Sequence, residues 1–179
     1  AALGGLSLVT GIAILRALQS LGIEGAGLKW PNDVLAGRDK LAGVLIDVVG
    51  EASGPCAVIV GVGINMDLPD DKSRAIDQSW TDLRRVSGDA VLSRNELAGR
   101  VLSELIPVME LFEREGLQPF LDDWRRYDLV SGRRVDLLLP NERISGTACG
   151  IDDGGALLVH TREGRRRFLS GDVSLRVAS

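Results

Sequence analysis

Apolar residues near the start of the chain recur at helical spacing, at Leu8, Val9, Ile12, Leu15, Leu18 and Leu21. Ser7 is placed to cap such a helix and Gly22 to end it, so a buried helix is predicted over residues 7–21. Residues 26–30 read as a strand running into a loop, because Pro31 restricts Trp30 to extended geometry. Two nearly continuous runs of Val, Ile and Leu follow at 41–49 and 57–64, and the turn-forming composition of 50–55 predicts that they pair as antiparallel strands. Residues 66–78 are polar and read as a mobile loop leading to a short helix that starts near Ser79-Trp80-Thr81-Asp82. Ser93-Arg94-Asn95-Glu96 has the capping-box pattern. It opens a long amphipathic helix with Leu97, Val101, Leu102, Leu105, Met109 and Phe112 on its apolar side, Pro107 predicted to kink or divide it, and Gly116 beyond its end.

Past Asp128 the period shortens to strand-like runs at 135–139, 144–150, 156–160, 167–169 and 173–177. Turn chemistry separates them at Pro140-Asn141, Asp152-Asp153-Gly154-Gly155, Glu163-Gly164 and Ser170-Gly171. A β unit of about fifty residues buries too little surface to be stable alone, so it is expected to dock on what precedes it. The predicted fold class is therefore α+β. A mixed, largely antiparallel sheet packed on helices occupies 1–128, and a small β-barrel occupies 129–179.

Composition narrows the function classes. At 45% hydrophobic and 26% charged, the chain has the balance of a folded globular protein, and no apolar run approaches the roughly 20 residues of a membrane span. The two cysteines, Cys56 and Cys149, lie far apart and read as reduced core thiols, which favours the cytoplasm. Net charge is −4, divided as −6 over 1–128 and +2 over 129–179, and it speaks against a general nucleic-acid footprint. Arg165-Arg166-Arg167 has Glu163 beside it and only Phe168 as an aromatic neighbour, so it reads as a solvated face. His160 is the sole histidine, which excludes paired-histidine metal sites, and Asp152-Asp153 reads as a turn.

The segment 28–47, LKWPNDVLAGRDKLAGVLID, holds most of the chemical information. It puts one ammonium, Lys29, at the end of a strand and a second, Lys40, at the start of the next. Two compact positive charges at one loop mouth suit a phosphate, and Gly43 admits a ligand or another backbone at close range. The plainer alternative is solvated strand ends around a Pro-Asn-Asp turn with Trp30 in the core, and residue types alone leave it the commoner one.

Lys29-Trp30-Pro31-Asn32-Asp33 followed by Lys40-Leu41-Ala42-Gly43-Val44-Leu45 closely resembles the signature of biotin protein ligases. Gly61-Val62-Gly63-Ile64-Asn65 is similar to that family's Gly-x-Gly-x-Asn strand end. Gly154-Gly155-Ala156-Leu157 and Ser174-Leu175-Arg176 resemble its terminal barrel. The resemblance implies a catalytic fold of the class II aminoacyl-tRNA synthetase and biotin ligase kind, with an SH3-like barrel after it. It further implies a two-step reaction. Biotin and ATP with Mg2+ give biotinyl-5′-AMP, and the biotinyl group then passes to a lysine of the biotin carboxyl carrier protein of acetyl-CoA carboxylase.

By the same resemblance Lys40, Lys29 and Asp33 are the catalytic candidates, with Asp33 a base for the acceptor lysine. Lys40, Gly43, Gly61 and Gly63 face biotin, while Lys29, Asn32, Asn65, Trp80 and Arg176 face the nucleotide. Mg2+ enters with ATP, with Asn32 and Asp33 as the protein groups nearest to it. A homodimer through the sheet is implied, with neither DNA nor membrane contact. On residue type alone, Gly61 and Gly63 are equally small residues in a crowded sheet, Trp80 a core residue at a helix start, and Arg176 an exposed strand residue.

The Gly-Arg-Gly-Arg type biotin loop and the amino-terminal winged helix known in this family do not occur in these residues. The chain is accordingly expected to resemble a truncated piece: part of the catalytic domain plus the barrel. Two other readings stay open. One is a lipoate or octanoate transferring relative, from which the Lys29–Asp33 run and the barrel point away. The other is a non-catalytic module that binds a carrier domain or a second copy through an open sheet edge.

Overall fold

A computed structural model of the chain describes residues 5–50, 56–68, 79–88, 93–169 and 174–177. The first helix, α1 (Leu6–Ser20), is buried almost all round, which explains why apolar residues occupy more than one of its faces. It is wedged between a four-stranded sheet and a long helix over Arg94–Glu115. Ser7 does not cap it. Gly5 takes the N-cap position at φ 97°, and Ser7 Oγ instead donates to the Pro31 carbonyl at 3.0 Å.

The first sheet contains β1 (Ala26–Lys29), β2 (Asp33–Ala36), β3 (Asp39–Gly50) and β4 (Cys56–Ile64), antiparallel in that order. The hairpin expected from the two apolar runs is β3–β4. Residues 51–55, the turn between them, lie outside the described residues, as does 69–78 of the expected mobile loop. Strand β2 was not foreseen, because Val34 and Leu35 are its only large apolar residues and turn-forming types surround them.

Helix α2 (Leu83–Ser87) starts where expected, with Asp82 accepting from the Arg85 backbone N–H. In α3 (Arg94–Glu115), Ser93 stands at the N-cap without a side-chain bond, so the capping box does not form. The helix also runs on through Pro107. The proline sits on the solvent side with Ser103 exposed below it, and Val101 before it and Val108 and Phe112 after it are buried. Packing on both sides thus holds the helix together while the carbonyl lacking a donor faces water. Leu102, expected on the apolar side, is exposed. A short 3-10 turn (Gln118–Phe120) and α4 (Leu121–Tyr127), neither foreseen, bring Phe120, Leu121 and Trp124 into the core. Among the described residues no helix is long and apolar enough to cross a membrane.

The second sheet is antiparallel with the order β8-β7-β6-β5-β9, from β5 (Arg134–Leu138), β6 (Arg143–Ile151), β7 (Leu157–Thr161), β8 (Gly164–Phe168) and β9 (Ser174–Val177). The pairing that would close it into a barrel is not among the described residues. Cys149 on β6 is exposed, contrary to its reading as a core thiol, because it falls on the outward side of the strand. The side chain of Cys56 lies outside the description.

The two sheets share one hydrophobic core, in which Val9 and Ile12 are continuous with Val135, Leu137 and Leu157. The join is specific. Leu129 N–H donates to the Leu28 carbonyl at 3.0 Å, and the indole N–H of Trp30 donates to the Gly155 carbonyl at 3.1 Å. Gly155 sits at φ 81°, and a Cβ there would lie 3.0 Å from Leu117 Cδ2 and 3.1 Å from Leu8 Cδ1. Gly155→Ala is therefore expected to lower stability by about 1–2 kcal/mol from the left-handed backbone alone, with the overlap adding to it. A thermal melt that matches the unsubstituted chain would contradict this.

Candidate functional site

Lys29 and Asp33 are direct cross-strand partners at the closed end of the β1–β2 hairpin, so their side chains share a face. Lys29 Nζ lies 2.7 Å from Asp33 Oδ2. A register shift between Val34 and Leu35 bends β2 against β3, and Lys40 Nζ lies 2.6 Å from Asp33 Oδ1. One carboxylate thus bridges two ammonium groups, leaving the cluster with one net positive charge. The Asp33 side chain is 8% exposed and that of Lys40 29%, while Lys29 is buried. Lys40 is the member of the cluster that reaches solvent.

Burial opposes charge on Asp33, but the charge and hydrogen bond of Lys29 and those of Lys40 together outweigh it and hold the carboxyl below its ordinary range. A carboxylate with both oxygens occupied and lowered basicity is a weak proton acceptor. In this arrangement Asp33 positions the lysines, and Lys40 would have to leave it before it could accept a proton.

The turn itself is pinned. Trp30 is buried, as the plainer reading of the sequence had it, and the Trp30–Pro31 peptide is cis. Asn32 Nδ2 donates to the Val44 carbonyl at 2.7 Å, and Val44 N–H returns a bond to the Asn32 carbonyl at 2.9 Å. Both Asp33 oxygens are taken by ammonium groups, which does not fit direct coordination of a divalent cation by this carboxylate, whereas Asn32 is bound through its amide nitrogen, the atom that would not ligate a cation. Among the described residues no group of three or more His, Cys, Asp and Glu is arranged to hold a metal.

Beside the cluster the sheet carries little side chain. Lys29, Asp33, Gly43 and Gly63 form one row across the four strands, and Leu45–Gly61 and Asp47–Ile59 are the next pairs on that face. A Cβ on Gly43 would lie 3.1 Å from Lys40 Nζ, so what this glycine admits is the lysine's own side chain. Gly63 is uncrowded, with nothing nearer to its hypothetical Cβ than the Gly43 carbonyl at 3.9 Å; at Gly61 the Leu45 carbonyl is at 3.4 Å. The crowded-sheet explanation of these glycines therefore fails at Gly63. What they leave is an open floor, edged by Leu45 at 71% and Ile59 at 57% exposure. Sequence reading missed Leu45 and Ile59, because their unbroken apolar runs signal burial on both faces.

Asn65 ties this floor to the next segment. Its Nδ2 donates to the carbonyls of Lys40 at 3.2 Å and Thr81 at 2.9 Å, and its backbone N–H to Leu41 at 2.9 Å. Lys40 N–H bonds the Ser79 carbonyl at 3.0 Å, and Thr81 N–H the Lys40 carbonyl at 2.9 Å, placing Trp80 beside Lys40 in a parallel bridge. Trp80 is half-buried and precedes the helix; it is no core residue. Arg176 stands on β9 opposite Asp136, half-buried, and the contacts that assemble the Lys29–Asp33–Lys40 cluster do not include it.

Comparison with known proteins places the chain in a family. The profile described as the biotin/lipoate A/B protein ligase family matches residues 2–65, and that of the biotin protein ligase C terminal domain matches residues 130–176. The bifunctional ligase/repressor BirA of Escherichia coli is 37% identical over 174 residues, covering 97% of this chain and 54% of that protein. The biotin--[acetyl-CoA-carboxylase] ligase of Mycobacterium tuberculosis is 37% identical over 95% of this chain and 62% of its own length. The chain thus spans about half the length of the curated relatives it matches first. Biotin protein ligase from Aquifex aeolicus, solved without ligand, is 31% identical with a TM-score of 0.83, covering 98% of this chain and 76% of that one. A structure of the same enzyme in complex with biotin and ATP gives the same TM-score and identity over 72% of its length. With the signature, the sheet order and relatives along nearly its whole length in agreement, the chain belongs to the biotin protein ligase family.

Proposed function

We propose that this chain carries the phosphate and nucleotide side, together with the sheet floor of the biotin side, of a biotin protein ligase site. The observation that supports it most directly is the pair of lysines bridged by one buried carboxylate at the edge of a glycine floor. In this reading the biotin carboxylate lies against Lys40 and its rings over Gly43, Gly61 and Gly63, with Leu45 and Ile59 at the apolar rim. A carboxylate oxygen attacks the α-phosphorus of ATP, the bond to pyrophosphate breaks, and biotinyl-5′-AMP forms. The amine of an acceptor lysine then attacks the acyl carbon and AMP leaves. Lys40 offsets the charge that builds on the phosphate oxygens, and Lys29 keeps Asp33 ionised so that Lys40 stays in place.

Trp80 offers a stacking plane for the base. Asn65 and Asn32 hold the strands on which that plane and the phosphate turn depend, and Arg176 serves the nucleotide from the second sheet. Mg2+ belongs to the ATP phosphates in this scheme, and no step is assigned to a protein-held metal. The acceptor is the biotin carboxyl carrier protein of acetyl-CoA carboxylase, met in the cytoplasm, with no role in DNA contact. A homodimer could form at β4, which ends the first sheet's order, and sedimentation at rising concentration tests that part.

Exchange of pyrophosphate into ATP that requires biotin, with lipoate and octanoate run beside it, tests the activity. Equal exchange with lipoate would replace the biotin reading. A sharper test uses the floor. Gly63→Val adds a side chain where the fold has room, so the melt is expected to stay level or rise, while biotin affinity falls by about tenfold or more. Unchanged biotin affinity would show that the ligand does not lie on this floor.

A further inference from the structure

The guanidinium of Arg85 lies 4.3 Å from the centroid of the Trp80 ring. The resemblance assigns nothing to Arg85, and nothing in the motifs singles it out. What holds it there is Asp82, whose side chain is 2% exposed. One oxygen of Asp82 accepts the Arg85 backbone N–H at 2.9 Å, and the other accepts Arg85 Nη1 at 2.8 Å. A single buried carboxylate therefore grips both ends of the arginine. The backbone that carries the indole is fixed as well, through the bridge to Lys40 and the bond from Asn65 to the Thr81 carbonyl. Of the three tryptophans, Trp30 and Trp124 are buried, and Trp80 is the one that reaches solvent.

We propose that Arg85 is a positioning residue for nucleotide binding: it backs one face of the Trp80 indole and so presents the opposite face to the base of ATP. The inference rests on the reading of Trp80 as the base platform. A base that used the arginine's face would have to break the Arg85–Asp82 pair, whereas the opposite face requires no such loss. The guanidinium also fixes the ring orientation before the base arrives, which reduces the ordering needed on binding. Arg85 is thus expected to act on ATP and not on biotin, although Trp80 and Lys40 are bridged.

Calorimetric titration with MgATP, and separately with biotin, tests this on the unsubstituted chain and on Arg85→Ala, Arg85→Lys, Trp80→Leu and the Trp80→Leu/Arg85→Ala double variant. Arg85→Ala is expected to weaken ATP about three- to tenfold and leave biotin affinity unchanged. Arg85→Lys keeps a cation near Asp82 but loses the flat stack, so it recovers only part of the loss. It also serves as the folded control should the alanine variant melt low. In the Trp80→Leu background, removing Arg85 should make no further difference. Equal or tighter ATP binding by Arg85→Ala would overturn the proposal, since it would mean that the guanidinium competes with the base. A full-sized loss in the Trp80→Leu background would overturn it too, by showing that Arg85 acts on the phosphates through charge. Failure of the unsubstituted chain to bind ATP would remove the platform reading itself, and the role of Arg85 with it.

Discussion

Replacing Lys40 with alanine is expected to slow formation of biotinyl-5′-AMP by about 10²–10³-fold, the usual cost of removing one group aimed at charge that develops in a transition state. The structure distinguishes this lysine from its neighbour. Lys29 is buried behind the carboxylate, whereas Lys40 reaches solvent over Gly43 and can meet a ligand without rearrangement of the strand. Its loss should cost little stability, because Asp33 keeps the Lys29 partner. Lys40→Ala is therefore expected to melt near the unsubstituted protein while failing in biotin-dependent pyrophosphate exchange. Near-normal exchange would take Lys40 out of the mechanism. Lys29→Ala, by contrast, should impair folding and activity together.

Asp33→Ala carries the largest expected cost in stability, about 3–5 kcal/mol, because it leaves two ammonium groups facing each other in a mostly buried position. That is a large share of the roughly 5–15 kcal/mol that holds a domain folded. The same carboxylate sets a pH dependence. Its folded pKa is lowered, so the stability it contributes is present above the unfolded value of about 4 and is lost as pH falls through the lower folded value. The denaturant midpoint should change little between pH 5 and 7 and drop below about pH 4, with a smaller drop in Asp33→Asn. Identical acid profiles for Asp33→Asn and the unsubstituted chain would show that the bridge contributes nothing measurable.

Residue patterns specify an element where they have a single physical cause. The apolar runs of β3 and β4 are long enough, and the turn between them marked enough, to specify an antiparallel hairpin. Strand β2 was hidden because its first residue, Asp33, serves the lysines and its short apolar content gives no period. The bridging of Lys29 and Lys40 by Asp33 depends on the register of β1 against β2 and on the irregularity after Val34, neither of which has a signal in residue types. Pro107 misled for a related reason: its effect on a helix depends on which side meets water, and that is fixed by tertiary packing. The glycines of the floor stand out in the sequence, but that Gly63 has room for a side chain depends on the packing of β3 against β4, which residue types do not signal.

The bond from the Trp30 indole to the Gly155 carbonyl has a further consequence for how such proteins can be rebuilt. Trp30 is next in sequence to Lys29, and its partner lies 125 positions away in the turn before β7, where Gly155 also meets Leu8 and Leu117. The two sheets are consequently not interchangeable cassettes. A chimera that takes its second sheet from a distant relative must bring a carbonyl to the same point and a residue without a side chain beneath it; otherwise the turn carrying Lys29 loses its far anchor, and the graft fails at a site that it never touched in sequence.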